Sequence, residues 1–243
     1  LFLYTTLFRS QMIPKIIHYC WFGETEIPFE QRRYIEDWGH MCPGYEIVCW
    51  NESNYDIRKN HYAFQAYHAG AWAFVSDYVR KDVLYEYGGI YLDTDVEIVR
   101  PLDELLYQQG FCGFDDNKIN SGMGMGARRG LPIMETMRDA YRGHEFDLQS
   151  RKHMKTGPEY ETEILMEHGL RTDESYQVVA DMTVYPPEVL SSAMIYSDGW
   201  TMREHTYTVH HFAGSWVDPI TKAKWEKMRC LYHRMKENSM VLL

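Results

Sequence analysis

The 243-residue chain has no CxxC pair, no long apolar run and no excess of basic charge, and each absence removes a class of protein. Five cysteines (Cys20, Cys42, Cys49, Cys112 and Cys230) are an odd number without metal-ligand spacing, so neither a disulfide framework nor a thiolate zinc site is suggested. A reducing compartment, the cytosol, is expected. There is no stretch of about 18 apolar residues to span a bilayer, and no charged-then-apolar leader ending in small residues. With 35 acidic against 25 basic residues the formal charge is -10, which argues against nonspecific nucleic-acid binding and for plain solubility or a bound cation. No internal repeat or low-complexity tract is present, and the length is enough for a full core without covalent staples. Residues 1–10, LFLYTTLFRS, resemble the translation of a sequencing-adapter oligonucleotide, and residues 1–11 read as a non-native extension, with the native chain expected from near Met12.

What is present alternates. The run at 15–23, KIIHYCWFG, and that at 45–51, YEIVCWN, read as strands, and the polar stretch between them, with Pro28, Tyr34 and Trp38, has room for a helix. From Ala71 to Tyr87 apolar residues recur at spacings of three and four (Phe74, Tyr78; Val75, Val79, Val83), and Gly88-Gly89 supply a stop. Ile90-Tyr91-Leu92 follows as a strand, with a turn at Pro101. GFCGF (110–114) and GMGMGA (122–127) read as further strands, Pro132 opens a helix to about Tyr141, and Thr156-x-x-Glu159 is a capping box before a helix to about His168. Strands alternating with helices predict an α/β domain with a mainly parallel sheet and no internal linker, covering residues 12–243.

The chemistry concentrates at YEYGGIYLDTD (85–95). Residues two apart on a strand project to one side, so Asp93 and Asp95 point together from a strand end, with Tyr91 on the same face. Two carboxylates there repel unless a cation lies between them, and hard oxygen donors suit Mg²⁺ or Mn²⁺. The carboxyl end of a strand is also where open α/β sheets bind ligands. One helical turn upstream, Asp77 and Arg80 share a helix face and can turn toward the same cleft, although Asp77 can equally pair with Lys81.

The segment SDYVRKDVLYEYGGIYLDTD (76–95) resembles the family-32 glycosyltransferases with an Asp-x-Asp sugar-binding region, a group of capsule enzymes and yeast-type mannosyltransferases, and more distantly the catalytic domains of clostridial glucosylating toxins. Ser76, Asp77, Arg80, Tyr85, Gly88, Gly89, Tyr91, Asp93 and Asp95 carry the match, supported by IPKIIHYCWFG (13–23), TGP (156–158) and HHFAGSW (210–216). The resemblance implies a GT-A fold, a Rossmann-like mixed sheet flanked by helices, with a nucleotide-sugar donor (UDP-sugars ranked before GDP-sugars) over Mn²⁺ or Mg²⁺. It implies Asp95 as metal ligand, Asp93 near the ribose and the metal's water shell, Asp77 and Arg80 on donor-sugar hydroxyls, Tyr91 lining the nucleotide pocket and Trp21 bordering the base. The His-Phe-x-Gly part of the tail implies His211 as a further ligand, and Ser215 and Trp216 closing over the diphosphate on a mobile loop. Asn120, ahead of a glycine-rich strand, is a candidate hydrogen-bond partner of the donor or acceptor sugar.

Transfer with retention of configuration to a glycan or lipid-linked glycan, in bacterial surface polysaccharide synthesis, is the function this implies. The C-terminal KAKWEKMRCLYHRMKE (222–237) reads as a basic amphipathic helix that would sit peripherally on the inner face of the plasma membrane or else pack on the domain. Two rivals use the same residues. A haloacid-dehalogenase-like phosphatase also places Asp-x-Asp at a strand end, but on its first strand. A noncatalytic carbohydrate-binding protein on a degenerate transferase fold would keep the aromatics without the chemistry.

Overall fold

The computed structural model describes residues 12–147, 154–192, 205–213 and 219–240; the expectation for residues 1–11 lies outside them. Strands β1 (Ile16–Cys20), β2 (Glu46–Trp50) and β3 (Gly89–Tyr91) run parallel in the order β2-β1-β3, and β3 passes antiparallel to β7 (Met125–Ala127). The sheet continues through β5 (Gly110–Asp115), β9 (Met182–Tyr185) and β8 (Gln177–Val179), with β6 (Lys118–Ile119) on the side of β5. A second sheet is formed by β10 (Leu190–Ser192), β11 (Thr208–His210) and β4 (Val96–Ile98).

The expected strands and helices therefore form, but the sheet is mixed rather than mainly parallel. The reason is local. β6 follows β5, and β9 follows β8, through short turns that only antiparallel neighbours permit, whereas β1, β2 and β3 are separated by helices. The glycine-rich 122–127 stretch is also less of a strand than expected: Asn120–Gly122 form a turn, and only Met125–Ala127 pair.

Alternation along β1 divides the core in two. Ile17 and Tyr19 face one side with Trp38 and Val96; Cys20 faces the other with Val79 and Val83. On the first side lies helix α1 (Phe29–Met41), held by Trp38, which is fully buried, meets Tyr19 edge-on at 5.8 Å and donates its indole N–H to Val96 O at 2.8 Å. On the second side lie α2 (His61–His68), α3 (Trp72–Tyr87), α4 (Pro132–Asp139) and α5 (Gly157–Glu167). Helix α3 is the central one, and it buries not only Phe74, Val75, Tyr78, Val79 and Val83 but also Asp77, Arg80, Lys81 and Asp82. It ends at Gly88, whose φ of +68° is a left-handed conformation that most side chains resist. The long C-terminal helix α6 (Pro219–Met240) packs through Tyr232, 2 % exposed, against Val209 of the second sheet.

Candidate active site

The chain leaves the large sheet after β3, turns, and enters the second sheet as β4; Asp93 and Asp95 occupy that junction. The turn is fixed by backbone bonds from Leu92 N to His18 O and from Asp93 N to Gly122 O, at 3.0 and 2.9 Å. Gly122 leaves room for the Asp93 carboxylate, which a Cβ there would displace. Upstream, Gly89 (φ +107°) lies against His18, whose Nε2–H donates to Gly88 O at 2.7 Å while its Nδ1 accepts from the Trp50 indole at 3.0 Å. Burial pushes the His18 pKa down to about 4, so the ring that braces this turn is neutral at physiological pH.

Each aspartate has its own holder. Asp93 Oδ1 accepts from the Tyr91 hydroxyl at 3.0 Å and from Arg80 Nη2 at 3.2 Å, and its side chain keeps 28 % exposure. Asp95 is buried; Oδ1 accepts from His210 Nε2 at 3.1 Å and Oδ2 from the Ala213 amide at 2.6 Å. Burial alone would raise the Asp95 pKa, but the charge and hydrogen bond of His210 and the Ala213 N–H outweigh it and hold the carboxyl well below its usual range. His210 moves the opposite way: burial lowers it, and the Asp95 carboxylate more than restores the charged form. Asp93, Asp95 and His210 each bring one ligand atom into a group spanning no more than 4.8 Å. Two carboxylates and an imidazole make a donor set that fits Mn²⁺ or Mg²⁺, and His210 Nδ1 is buried without a hydrogen-bond partner among the described residues.

Beneath Asp93 lies a buried ionic layer. The Arg80 guanidinium sits 4.6 Å over the Tyr91 ring and donates to Ser76 O, Ser121 Oγ and Asp93, with Asp77 Oδ1 at 3.4 Å. Asp77 Oδ2 accepts from Gly157 N at 3.1 Å, which ties α5 to α3. Ser121 donates both its N–H and its hydroxyl to Glu161, and Glu161 pairs with Lys81; both charged side chains are fully buried. Burial works against ionisation of Glu161, but Lys81 and Arg80 keep its pKa below the usual value, so its carboxylate stays charged.

Measured against the sequence-based expectations, Asp93 and Asp95 converge as their spacing requires. His211 does not join them; His210 does. In the β4–β11 ladder Val209 and His211 share the face of Glu97, and His211 Nε2 bonds Glu97 Oε2 at 3.1 Å while its ring stacks on Tyr34 at 4.8 Å. Alternation sends His210 to the other side. Tyr91 is 1 % exposed, so it orients Asp93 and does not line an open pocket. Asp77 and Arg80, 9 % and 5 % exposed, are engaged by protein groups below Asp93, and Lys81 pairs with Glu161, not Asp77. Asn120 is turned into its own loop, donating to Asp115 Oδ2 and accepting from Gly122 N. Trp21 follows β1 with its indole N–H on Thr25 O. Ser215 and Trp216 lie outside the described residues. Sequence reasoning missed Lys81, Ser121 and Glu161 as a unit, and no spacing signal joins them, because they come from three separate elements.

A cavity of about 550 Å³ opens beyond the carboxyl ends of β1 and β2, lined by Phe22, Tyr55, Phe64, Tyr67, Glu52 and Arg58 among others.

Residues 28–112 match the family described as the glycosyltransferase sugar-binding region containing the DXD motif. The chain is 33 % identical over 130 residues to inositol phosphoceramide mannosyltransferase 3 of Schizosaccharomyces pombe, covering 52 % of this chain and 36 % of that protein. It is 34 % identical over 100 residues to inositol phosphoceramide mannosyltransferase 2 of the same yeast, covering 40 % and 29 %. The chain thus spans about a third of the length of the curated relatives it matches. Among solved structures, the PaToxG glycosyltransferase superposes with a TM-score of 0.52 at 16 % identity over 68 % of this chain and 75 % of that one, a likeness of fold. Residues 28–112 are thus similar to the DXD-containing sugar-binding region, and the two aspartates of that motif stand at the strand junction of a mixed α/β fold like that of the PaToxG glycosyltransferase.

Proposed function

We propose that the protein transfers a hexosyl group from a nucleotide-sugar to a hydroxyl of a glycan or lipid-linked glycan, with a divalent cation at Asp93, Asp95 and His210. The observation that carries this reading is the convergence of those three side chains at the carboxyl end of β3. The cation supplies Lewis-acid stabilisation of a departing diphosphate. Every other part is the work of the chain's own groups. Tyr91 and Arg80 orient Asp93 and leave one of its carboxylate oxygens to a ligand. The Ala213 amide and His210 fix Asp95. The buried layer of Asp77, Lys81, Ser121 and Glu161 prevents Arg80 from moving, so the carboxylate geometry is set before any ligand arrives. The nucleoside end extends toward Trp21 and the cavity beside β1 and β2, whose rings offer stacking faces.

The acceptor reading draws on the relatives, whose names specify inositol phosphoceramide, and favours a lipid-linked acceptor at a membrane surface. Helix α6 turns Ile220, Lys224, Lys227 and Leu231 outward, which suits peripheral contact with an anionic leaflet on the cytoplasmic side, while Arg229 is turned inward. Retention of configuration and a role in bacterial surface polysaccharide synthesis extend this reading.

The test is thermal unfolding with a panel of UDP- and GDP-sugars, each with and without Mn²⁺, on the wild type and Asp95→Ala, followed by release of nucleoside diphosphate. A ligand at about a hundred times its dissociation constant adds about 2.7 kcal/mol, or about 5–10 °C at this chain length. Metal-dependent stabilisation by one donor, lost in Asp95→Ala and accompanied by turnover, supports the reading. Stabilisation without turnover points to a sugar-nucleotide-binding protein, and no stabilisation by any donor overturns both.

A further inference from the structure

The third corner of the cation site comes from a strand far along the chain from the aspartates. His210 and the Ala213 amide reach Asp95 across 115 and 118 residues of chain, from the end of β11 and the turn after it. That turn contains Phe212 at φ +49°, a left-handed conformation that a non-glycine residue adopts only when its surroundings impose it. The surroundings are helix α6. Arg229 Nη1 donates to Phe212 O at 3.3 Å, and the Trp225 ring packs on the Phe212 ring at 5.1 Å between centroids. The Phe212 ring in turn lies 4.1 Å from that of His210.

One helical turn along, the Tyr232 hydroxyl donates to Glu97 Oε2 at 3.0 Å, the same oxygen that holds His211. His211 is stacked between Tyr34 and His233, at 4.8 and 5.4 Å. The two neighbouring histidines therefore have separate duties: His211 is locked to Glu97 and α6, and the lock leaves His210 facing Asp95.

We propose that α6 is a positioning element for the cation site, acting through the Phe212 turn. Arg229 and Trp225 impose the left-handed turn, Tyr232 and Glu97 anchor His211, and together they aim His210 and the Ala213 N–H at Asp95. The proposal rests on the reading that Asp93, Asp95 and His210 take a divalent cation. Its helix residues, Trp225, Arg229 and Tyr232, lie outside the sugar-binding region at 28–112, so it assigns the C-terminal helix to the site itself.

The test compares the wild type with Arg229→Ala, Trp225→Ala and Tyr232→Phe, and with Lys224→Ala on the exposed side of α6, by two readouts. Hydrogen exchange of the 206–213 amides needs no metal, and Mn²⁺ affinity is read from the paramagnetic resonance signal of the free ion. The expected result is faster exchange at 206–213 with unchanged protection in β1 and β3, together with Mn²⁺ affinity weakened by about tenfold or more, in the three inner-face variants and not in Lys224→Ala. A variant that unfolds loses protection in β1 and β3 as well; Tyr232→Phe, which deletes only a hydroxyl, keeps the comparison open. Unchanged exchange at 206–213 overturns the proposal, as does faster exchange with unchanged Mn²⁺ affinity, which leaves α6 a packing element. A wild type that binds no Mn²⁺, with or without UDP, overturns the cation reading itself and this proposal with it.

Discussion

His18 is the residue whose neutrality the aspartate turn depends on. Its Nε2–H goes to Gly88 O and its Nδ1 lone pair receives the Trp50 N–H, so a second ring proton would face a donor. With the folded pKa depressed to about 4 from 6.5, the contribution is complete above the unfolded value and is lost as pH falls through the folded one. Between pH 7 and 4 the wild type should lose roughly 3 kcal/mol more than His18→Gln, on the basis of 1.36 kcal/mol per pK unit, measured from urea midpoints at each pH. An equal loss in both proteins would remove His18 from the account. Gly122 gives a second prediction at this scale. A methyl group there displaces the Asp93 carboxylate without touching the core, so Gly122→Ala should weaken Mn²⁺ binding by about tenfold, about 1.4 kcal/mol, while the unfolding midpoint stays close to wild type.

At the scale of elements, the Lys81–Glu161 pair joins α3 to α5, and Ser121 brings in the turn before β7. Such a pair is a poor source of stability but expensive to break by halves. Glu161→Leu alone strands Lys81 and should cost about 3–5 kcal/mol. The double variant Lys81→Met, Glu161→Leu should recover most of that, short of about 1–3 kcal/mol for the Ser121 N–H left without its acceptor. A double-mutant cycle by chemical denaturation reads the difference directly, and additive losses would show that the pair is not coupled. Helix α6 shows the same principle at a boundary. Its basic amphipathic sequence leaves membrane contact or packing on the domain open, and in the fold Arg229 and Tyr232 are turned in and Lys224 and Lys227 out.

For the whole molecule, the proposed cation site bridges the large sheet and the second sheet, with its three side chains drawn from the β3–β4 turn and from β11. A cation there binds the folded chain only. Saturating Mn²⁺ should raise the urea midpoint, by about 2.7 kcal/mol at a hundred times its dissociation constant. The slope m should not change, since the surface exposed on unfolding is the same, and a chelator should reverse the shift. A changed slope would mean that the metal alters compactness instead of occupying a preformed site.

The amino-acid sequence by itself determined what local rules govern. The alternation of IIHYC set β1, the three-and-four spacing from Phe74 to Val83 set α3, Gly88 set its end, and the Asp93–Asp95 spacing set two carboxylates beside one strand. These are short-range consequences of backbone geometry, legible within a dozen residues. The tertiary structure decided the rest. The parity of β11 in its ladder with β4 selected His210 over His211, although a motif match alone favoured the latter. Burial turned Tyr91, Asp77 and Arg80 from expected ligand contacts into supports for Asp93, and chain crossing brought Ser121 and Glu161 beneath them. Which face of a strand meets a partner some 115 residues away depends on sheet register and helix packing, and neither is written in local spacing.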